Sequence, residues 1–114
     1  MSDPTCLFCR IVAGEIPAQL VAETPEALAF RDIAPKAPVH VLVIPRRHVA
    51  SLATAADAAE LGALTQLAAR VAAQEGVAET GYRVVTNVGA DGGQSVGHLH
   101  FHVLGGRALG WPPG

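Results

Sequence analysis

The spacing of apolar residues along the chain separates one long helix from several short strands. Between residues 54 and 75, apolar side chains return every three or four positions, which is typical of a helix with one buried face. The residues with this spacing are Leu61, Leu64, Leu67, Ala68 and Val71. Thr54 and Asp57 resemble a capping box at the start, and Gly76 is a typical helix stop. The pattern therefore predicts a helix over residues 54–75.

Five short segments rich in apolar residues predict strands. They span residues 19–23, 26–31, 39–44, 82–88 and 98–104. Thr24 and Pro25 separate the first two segments, as in the turn of a hairpin. The third segment is almost continuously apolar and is followed by Pro45, which is typical of a strand that is buried on both faces.

Glycine and proline mark the remaining connections. A short helix is predicted over residues 6–12, with Gly14 as its stop, and two prolines make residues 32–38 a loop. Residues 89–97 form a glycine-rich loop, and the tail over residues 110–114 must lie on a surface, its own or a partner's. The order α, β, β, β, α, β, β favours an α+β domain with an antiparallel sheet of about five strands, one long helix and one short helix.

Length and composition restrict the class of protein. The chain has 114 residues, so residues 1–114 form a single domain, and 50% hydrophobic residues against 16% charged ones exclude intrinsic disorder. A net charge of -2 gives no basic surface for a nucleic-acid backbone. The first residues lack the features of a signal peptide, and no apolar run is long enough to cross a bilayer. We therefore expect a cytoplasmic protein that binds neither nucleic acid nor a membrane.

The histidines are grouped, and the grouping indicates a site. They fall in three places of the chain and are His40, His48, His98, His100 and His102. Residues i, i+2 and i+4 of a strand share a face, so the last three imidazoles line one side of the final strand. The alternating apolar residues, Leu99, Phe101 and Val103, then enter the core. A merely solvated face has no reason to prefer histidine to lysine, glutamate or threonine.

Two cysteines and two histidines together form a candidate metal site. Cys6 and Cys9 make a Cys-x-x-Cys pair, and with His48 and His98 they supply the ligand set of a closed, structural zinc site with one ion per chain. His98 and His102 would lie roughly 13 Å apart along a strand, which is too far for one ion. The alternatives are that the cysteines are small core residues one helical turn apart, or a redox pair.

The glycine-rich segment over residues 87–95 is a candidate phosphate cradle. Glycines permit the positive φ values that let successive backbone amides converge on an anion. A neutral imidazole nitrogen on the following strand is a competent nucleophile toward phosphorus. An ordinary long connection between two strands is the alternative.

These residues resemble a known family. The letters GGQS at residues 92–95, followed by HLHFHVL at residues 98–104, resemble the signature of the histidine triad (HIT) superfamily. The letters GGR at 105–107 and WPPG at 111–114 are similar to the Hint branch, the histidine triad nucleotide-binding proteins. The resemblance covers nearly the whole chain. It implies a HIT-like fold and a homodimer.

The resemblance also implies an activity. Proteins of this branch bind purine nucleoside monophosphates and hydrolyse phosphoramidates, chiefly adenosine 5′-phosphoramidate and aminoacyl adenylates. We expect no catalytic divalent cation, because such a phosphate carries less charge than a triphosphate and amides of the glycine-rich loop can bind it. By analogy His100 is the nucleophile that forms a nucleotidyl-histidine intermediate, His102 contacts the phosphate, and His40 supports the nucleophile's surroundings. Ser95 and Asn87 would bind phosphate oxygens or the departing amine.

The remaining nucleotide-binding residues are implied in the same way. Gln94 and Gly93 lie beside the phosphate, Asp32 holds the ribose hydroxyls, and Trp111 reaches the site of the partner subunit. The base would contact an apolar wall made of Leu7, Phe8, Ile11, Phe30 and Ile33.

Simpler roles stay open for several of these residues. Asp32 would cap a turn, the two phenylalanines would be plain core, Trp111 would cover its own subunit, and His40 would be a satisfied buried histidine. Two other functions also stay open: a dinucleoside polyphosphate hydrolase of the Fhit type, against which the tail argues, and a non-catalytic nucleotide-sensing module.

Overall fold

Eight regular elements are present in the computed structural model, which describes residues 2–114. In chain order they are α1 (Leu7–Val12), β1 (Leu20–Glu23), β2 (Ala27–Arg31), β3 (Val39–Pro45), α2 (Ala58–Gln74), β4 (Tyr82–Val85), α3 (Gly89–Gly92) and β5 (Phe101–Gly105). A short 3-10 turn, Leu52–Thr54, precedes α2. The strands form one sheet in the order β1-β2-β3-β5-β4, and every neighbouring pair is antiparallel. The predicted α+β class and five-stranded antiparallel sheet are confirmed.

The central strands bury side chains on both faces of the sheet. On one face the sheet packs against α2. This cluster joins Ala27, Ala29, Val41 and Val43 of the sheet to Leu64, Leu67, Ala68 and Val71 of α2. On the other face Leu28, Phe30, Leu42 and Ile44 cluster with Cys6, Phe8 and Cys9 at α1. Because β2 and β3 contribute to both clusters, their sequences are almost continuously apolar, as predicted for β3.

The predicted start of the long helix was three to four residues too early. Asp57, not Thr54, is the N-cap of α2, and its carboxylate accepts hydrogen bonds from the amides of Ala59 and Glu60. Thr54 instead belongs to the preceding 3-10 turn, where its hydroxyl donates to the main-chain oxygen of Ser51. An aspartate at this position satisfies two amides that a helix leaves free, so the helix begins there.

The last strand begins at Phe101 and not at His98, because its neighbour cannot continue the ladder. β3 and β5 pair Val43 with Phe101, so Pro45 would lie opposite Leu99. Proline has no amide hydrogen to donate. The Leu99 amide instead donates to the Val49 oxygen at 2.6 Å.

The connection between the last two strands also differs from the prediction. β4 ends at Val85 rather than at residue 88, and the Thr86 hydroxyl donates to the main-chain oxygen of His100 at 2.8 Å. The glycine-rich loop contains the four-residue helix α3, and Gly93, which caps its end, has a φ of 82°. Only glycine adopts this left-handed conformation readily, so its position explains where the helix stops.

Within residues 2–114, no helix has both the length and the apolar character needed to cross a membrane.

Candidate functional site

A cavity of ≈ 250 Å³ opens between α1, the end of β2 and the start of β5. Nine of the residues predicted to bind nucleotide line it: Leu7, Phe8, Ile11, Phe30, Asp32, Ile33, Ser95, His100 and His102. Its wall is mostly apolar at one end and carries the two imidazoles and the carboxylate at the other. This is the usual composition of a small-molecule site.

Some lining residues were not predicted. Ile16, Pro17 and Ala18 come from the connection between α1 and β1, and Leu42 and Val96 complete the apolar wall. The connection has no periodicity that would indicate burial against a ligand. The one sequence feature that could have indicated these lining residues is their apolar character, shortly after Gly14, the glycine that follows α1.

Four predicted nucleotide-binding residues do not line this cavity: Asn87, Gly93, Gln94 and Trp111. The Gln94 amide spans the loop, because its oxygen accepts from the Gly89 amide at 3.0 Å and its nitrogen donates to the oxygens of Ala50 and Val96. Trp111 is 80% exposed, and the Arg83 guanidinium lies 5.8 Å from its ring centre. In a single chain these two residues therefore have structural or surface positions.

The imidazole of His100 has a fixed orientation. Its Nδ1 lies 2.7 Å from the main-chain oxygen of His98. A carbonyl oxygen can only accept, so Nδ1 carries the proton and the lone pair is on Nε2. The ring is buried and packs edge-on against Phe8, with centroids 5.2 Å apart. In the neutral ring of His100 the unprotonated nitrogen is therefore Nε2, and His100 lines the cavity.

His40 and His102 form a second pair of imidazoles beside it. Nε2 of His40 lies 2.9 Å from Nδ1 of His102 and 3.4 Å from Oδ2 of Asp32. Burial lowers the pKa of His40, although the Asp32 carboxylate acts in the opposite direction. Burial, followed by the nearby His100 and His40, lowers the pKa of His102 to about 4. Both rings are therefore neutral at pH 7.

The four predicted metal ligands come together beside the cavity. Nδ1 of His98 lies 3.3 Å from the sulfur of Cys6 and 3.5 Å from that of Cys9, and Nδ1 of His48 lies 3.3 Å from the sulfur of Cys9. Cys6 is the N-cap of α1, and Cys9 follows one turn later. The four ligand atoms all lie within 4.8 Å of one another.

The surroundings of these atoms fit a zinc ion. Nε2 of His98 lies 2.9 Å from the main-chain oxygen of Pro45, so it donates and leaves the lone pair on Nδ1, the atom that faces the sulfurs. Two sulfurs and two imidazole nitrogens are the ligands of a closed tetrahedral site. Bound there, zinc would supply a cross-link between α1 and the segments that carry His48 and His98.

A second group of close ligand atoms belongs to Asp32, His40 and His102, which also lie within 4.8 Å of one another. Two of its members, Asp32 and His102, line the cavity, whereas His40 does not, and His40 and His102 already form a hydrogen bond with each other.

Comparisons with known sequences and with known structures point to the same family. Residues 13–109 match the HIT domain. A protein of Synechococcus elongatus described as an uncharacterized HIT-like protein is 55% identical over the whole of both chains. A HIT family hydrolase from Legionella pneumophila superposes with a TM-score of 0.94 at 49% identity, covering 96% of this chain and 100% of that one.

A more distant structure is similar as well. A histidine triad nucleotide-binding protein from Candida albicans has a TM-score of 0.84 and 34% identity over 95% of this chain and 83% of its own. The matches extend over the sheet, α2 and the histidine segment. The chain belongs to the HIT domain family.

Proposed function

We propose that this chain is a purine nucleoside phosphoramidase, which hydrolyses the P–N bond of adenosine 5′-phosphoramidate and also acts on aminoacyl-adenylate-type substrates. The observation that carries the proposal is the orientation of His100. Its Nδ1–H donates a hydrogen bond to a main-chain oxygen, so Nε2 carries the lone pair of the neutral ring and is the candidate nucleophile. The similarity of the chain to HIT family hydrolases supports a hydrolytic activity, without specifying the substrate.

The shape of the cavity supports a nucleotide with its base at the apolar end. Phe8 and Phe30 lie edge to face with centroids 5.5 Å apart, and Ile33 stands at the rim. Asp32 lines the same cavity, and its Oδ2 lies 3.4 Å from Nε2 of His40. A carboxylate at this place is suited to bind ribose hydroxyls. The phosphate would then meet His100, His102 and Ser95, with His40 behind His102.

The proposed reaction has two displacements at phosphorus. In the first, Nε2 of His100 forms a bond to phosphorus while the P–N bond breaks, and the departing nitrogen takes up one proton from solvent to leave as an amine. In the second, a water oxygen attacks phosphorus, the bond to His100 breaks, and the nucleoside monophosphate dianion forms while both protons of that water pass to solvent. Throughout, Nδ1–H remains donated to the His98 oxygen, which stabilises the positive charge on the substituted ring.

The charges around the cavity favour a phosphoramidate over a dinucleoside polyphosphate. Among the residues that line it, Arg31 is the one permanent cation, and both of its terminal nitrogens bond to Glu75. Asp32 adds a negative charge. A phosphoryl group with a single negative charge suits neutral imidazole donors better than a polyphosphate chain does. The scarcity of cations around the cavity therefore supports the phosphoramidate over the substrate of the Fhit-type alternative.

We also propose that the working form is a cytoplasmic homodimer with one structural zinc per chain. β4 lies at an edge of the sheet and exposes Tyr82 and Val84, and Trp111 is exposed near it. An edge strand with exposed apolar residues is suited to pair with a second copy. Light scattering should show a dimer that Val84→Lys weakens, whereas Leu20→Lys, on the opposite edge strand, should leave it intact.

The deciding experiment traps the covalent intermediate. A reaction with adenosine 5′-phosphoramidate, quenched within milliseconds and analysed by mass spectrometry, should show an adenylyl group on the peptide containing residues 98–102. His100→Ala should remove the adduct and reduce turnover by at least ~10³-fold. Retained turnover in His100→Ala would overturn the proposal, and nucleotide binding without any turnover in the native chain would favour the sensing module. Faster hydrolysis of diadenosine polyphosphates would favour the Fhit-type activity.

A further inference from the structure

The loop between β2 and β3 makes one hydrogen bond that reaches the histidines. The main-chain amide of Lys36 lies 3.0 Å from Nδ1 of His40. An amide N–H can only donate, so Nδ1 of His40 must accept and carry a lone pair. In a neutral imidazole the proton is then on Nε2.

The same reasoning passes from His40 to His102. The protonated Nε2 of His40 faces Nδ1 of His102 at 2.9 Å, so Nδ1 of His102 accepts and its own proton is on Nε2. His102 lines the cavity, and its N–H donor is the ring atom not used by His40. His100, two residues earlier, has the opposite arrangement, with its proton on Nδ1 and its lone pair on Nε2.

We infer that Lys36 is a positioning residue, whose main-chain N–H fixes the protons of His40 and His102 so that the site holds one imidazole donor beside one imidazole nucleophile. That the donor serves a phosphoryl oxygen rests on the proposed function. The arrangement of protons does not, because it follows from the contacts alone. The side chain of Lys36 donates its hydrogen bond to the Ala34 oxygen and not to either ring, and its charge lowers the pKa of His40 without choosing between the two ring nitrogens.

The carbonyl oxygen of Lys36 is held by the segment that follows β5. Nη2 of Arg107 donates to the Lys36 oxygen at 2.8 Å. Gly106, just before it, has a φ of 91°, and a Cβ there would lie 2.8 Å from Pro38. The loop and the segment after β5 therefore fit closely, which keeps the Lys36 amide aimed at His40.

A metal ion on Asp32, His40 and His102 is the competing use of these atoms. An ion would need lone pairs on Nε2 of His40 and on Nδ1 of His102. The proton of His40 would then have to move to Nδ1, where it would oppose the Lys36 N–H. The candidate metal site formed by Cys6, Cys9, His48 and His98 has no such conflict. Nε2 of His98 donates to a main-chain carbonyl oxygen, so Nδ1 keeps the lone pair that an ion needs. The Lys36 amide therefore favours the hydrogen-bonded chain of imidazoles over an ion.

The test reads the position of each proton directly. In protein labelled with ¹⁵N-histidine, long-range ¹H–¹⁵N correlation spectra distinguish the two neutral imidazole forms. We expect Nε2–H for His40 and His102 and Nδ1–H for His100. Lys36→Ala keeps the N–H and should leave all three unchanged, whereas Lys36→Pro removes it and should give His40 and His102 mixed forms while His100 keeps its own.

Activity gives a second reading of the same variants. With adenosine 5′-phosphoramidate, Lys36→Pro should lower kcat/KM by about 10- to 100-fold, as expected for loss of an oriented donor. Lys36→Ala should stay within about twofold. If Lys36→Pro does not fold, an ester in place of the amide between residues 35 and 36, made by chemical ligation, removes the same donor.

Two results would overturn the inference. One is Nδ1–H on His102 in the native protein, and the other is an unchanged spectrum when the Lys36 donor is removed. The expected spectra in a protein without phosphoramidase activity would instead leave the inference standing and reject the proposed function. Displacement of the His40 and His102 signals by one equivalent of zinc beyond the cysteine site would favour the competing metal group and overturn the inference.

Discussion

The main-chain oxygen of His98 accepts the Nδ1 proton of His100, while the His98 ring faces the sulfurs of Cys6 and Cys9. His98 thus contributes its ring to the candidate metal site and its carbonyl oxygen to the orientation of the proposed nucleophile. Residues 98–100 lie before β5, so the sheet does not hold their backbone. Contacts of the side chains and of the Leu99 amide hold it in place instead.

Removing a cysteine should therefore remove the metal and loosen the protein. We expect about one zinc per chain in the native protein and a sharp fall in Cys9→Ser, because a hydroxyl is a poor zinc ligand. The melting temperature should drop by about 10 °C, since the link between α1 and the histidine segment is lost. Elemental analysis and calorimetry measure the two effects.

Arg10→Ser is the matched control for this change, because it alters the exposed neighbour of Cys9 in the same helix. It should keep the full metal content. A native protein free of zinc after purification without chelators would contradict the assignment.

Acid should destabilise the fold through His102. Its pKa is lowered from 6.5 to about 4, so between these values the unfolded chain binds the proton and the folded chain does not. The free energy of unfolding therefore falls as the pH drops from 6.5 toward 4, and this residue contributes no change above that window. Chemical denaturation at several pH values measures the slope.

His102→Gln is the comparison for the acid effect, because it retains a donor and an acceptor but does not titrate. Its slope between pH 6.5 and 4 should be shallower than that of the native chain. Some slope should remain, since burial lowers the pKa of His40 as well. Identical slopes in the two proteins would show that His102 is not the group responsible.

Asp32 provides a test of where the ribose lies. Its Oδ1 accepts from the Ala34 amide at 2.8 Å, a bond that Asp32→Asn can keep. Loss of the charged acceptor should weaken the binding of adenosine 5′-monophosphate by about tenfold. The 2′,3′-dideoxy analogue should bind both proteins equally, and an equal loss for both ligands would place the ribose elsewhere.

Gln94 should be required for the shape of the loop. Its amide makes three hydrogen bonds to main-chain atoms, which join Gly89 at the start of α3 to Val96 and to Ala50. Gln94→Ala should cost about 1–3 kcal/mol of stability. Hydrogen exchange over residues 89–96 should become faster, while Asp91→Ala, an exposed change in the same loop, should have little effect.

Direct binding of phosphate by Gln94 would give a different result. Nucleotide affinity would then fall in Gln94→Ala without faster exchange in the loop. That outcome would support the role in nucleotide binding that the family resemblance implies for Gln94.

The burial of side chains could be predicted from the sequence where it follows the spacing of apolar residues. The alternation from His98 to Val103 correctly placed Leu99, Phe101 and Val103 in the core. The continuous apolar run of β3 correctly indicated burial on both faces of the sheet.

Features that depend on single atoms could not be predicted in this way. The early end of the ladder follows from Pro45 lying opposite Leu99, which requires the register of two strands far apart in the chain. The contact from Lys36 to His40 depends on the path of a loop that has no repeating pattern. For the same reason the sequence predicted that Cys6, Cys9, His48 and His98 lie together, but not the hydrogen bond that orients His98.

Ile33 lines the cavity while 99% of its surface is in contact with water. Such a side chain adds almost nothing to the core, so its apolar surface is still available to a ligand. A purine laid against it would displace the hydration water, and association would then have a negative heat-capacity change. Titration calorimetry at several temperatures should show this change, and Ile33→Ser should diminish it while leaving the melting temperature nearly constant.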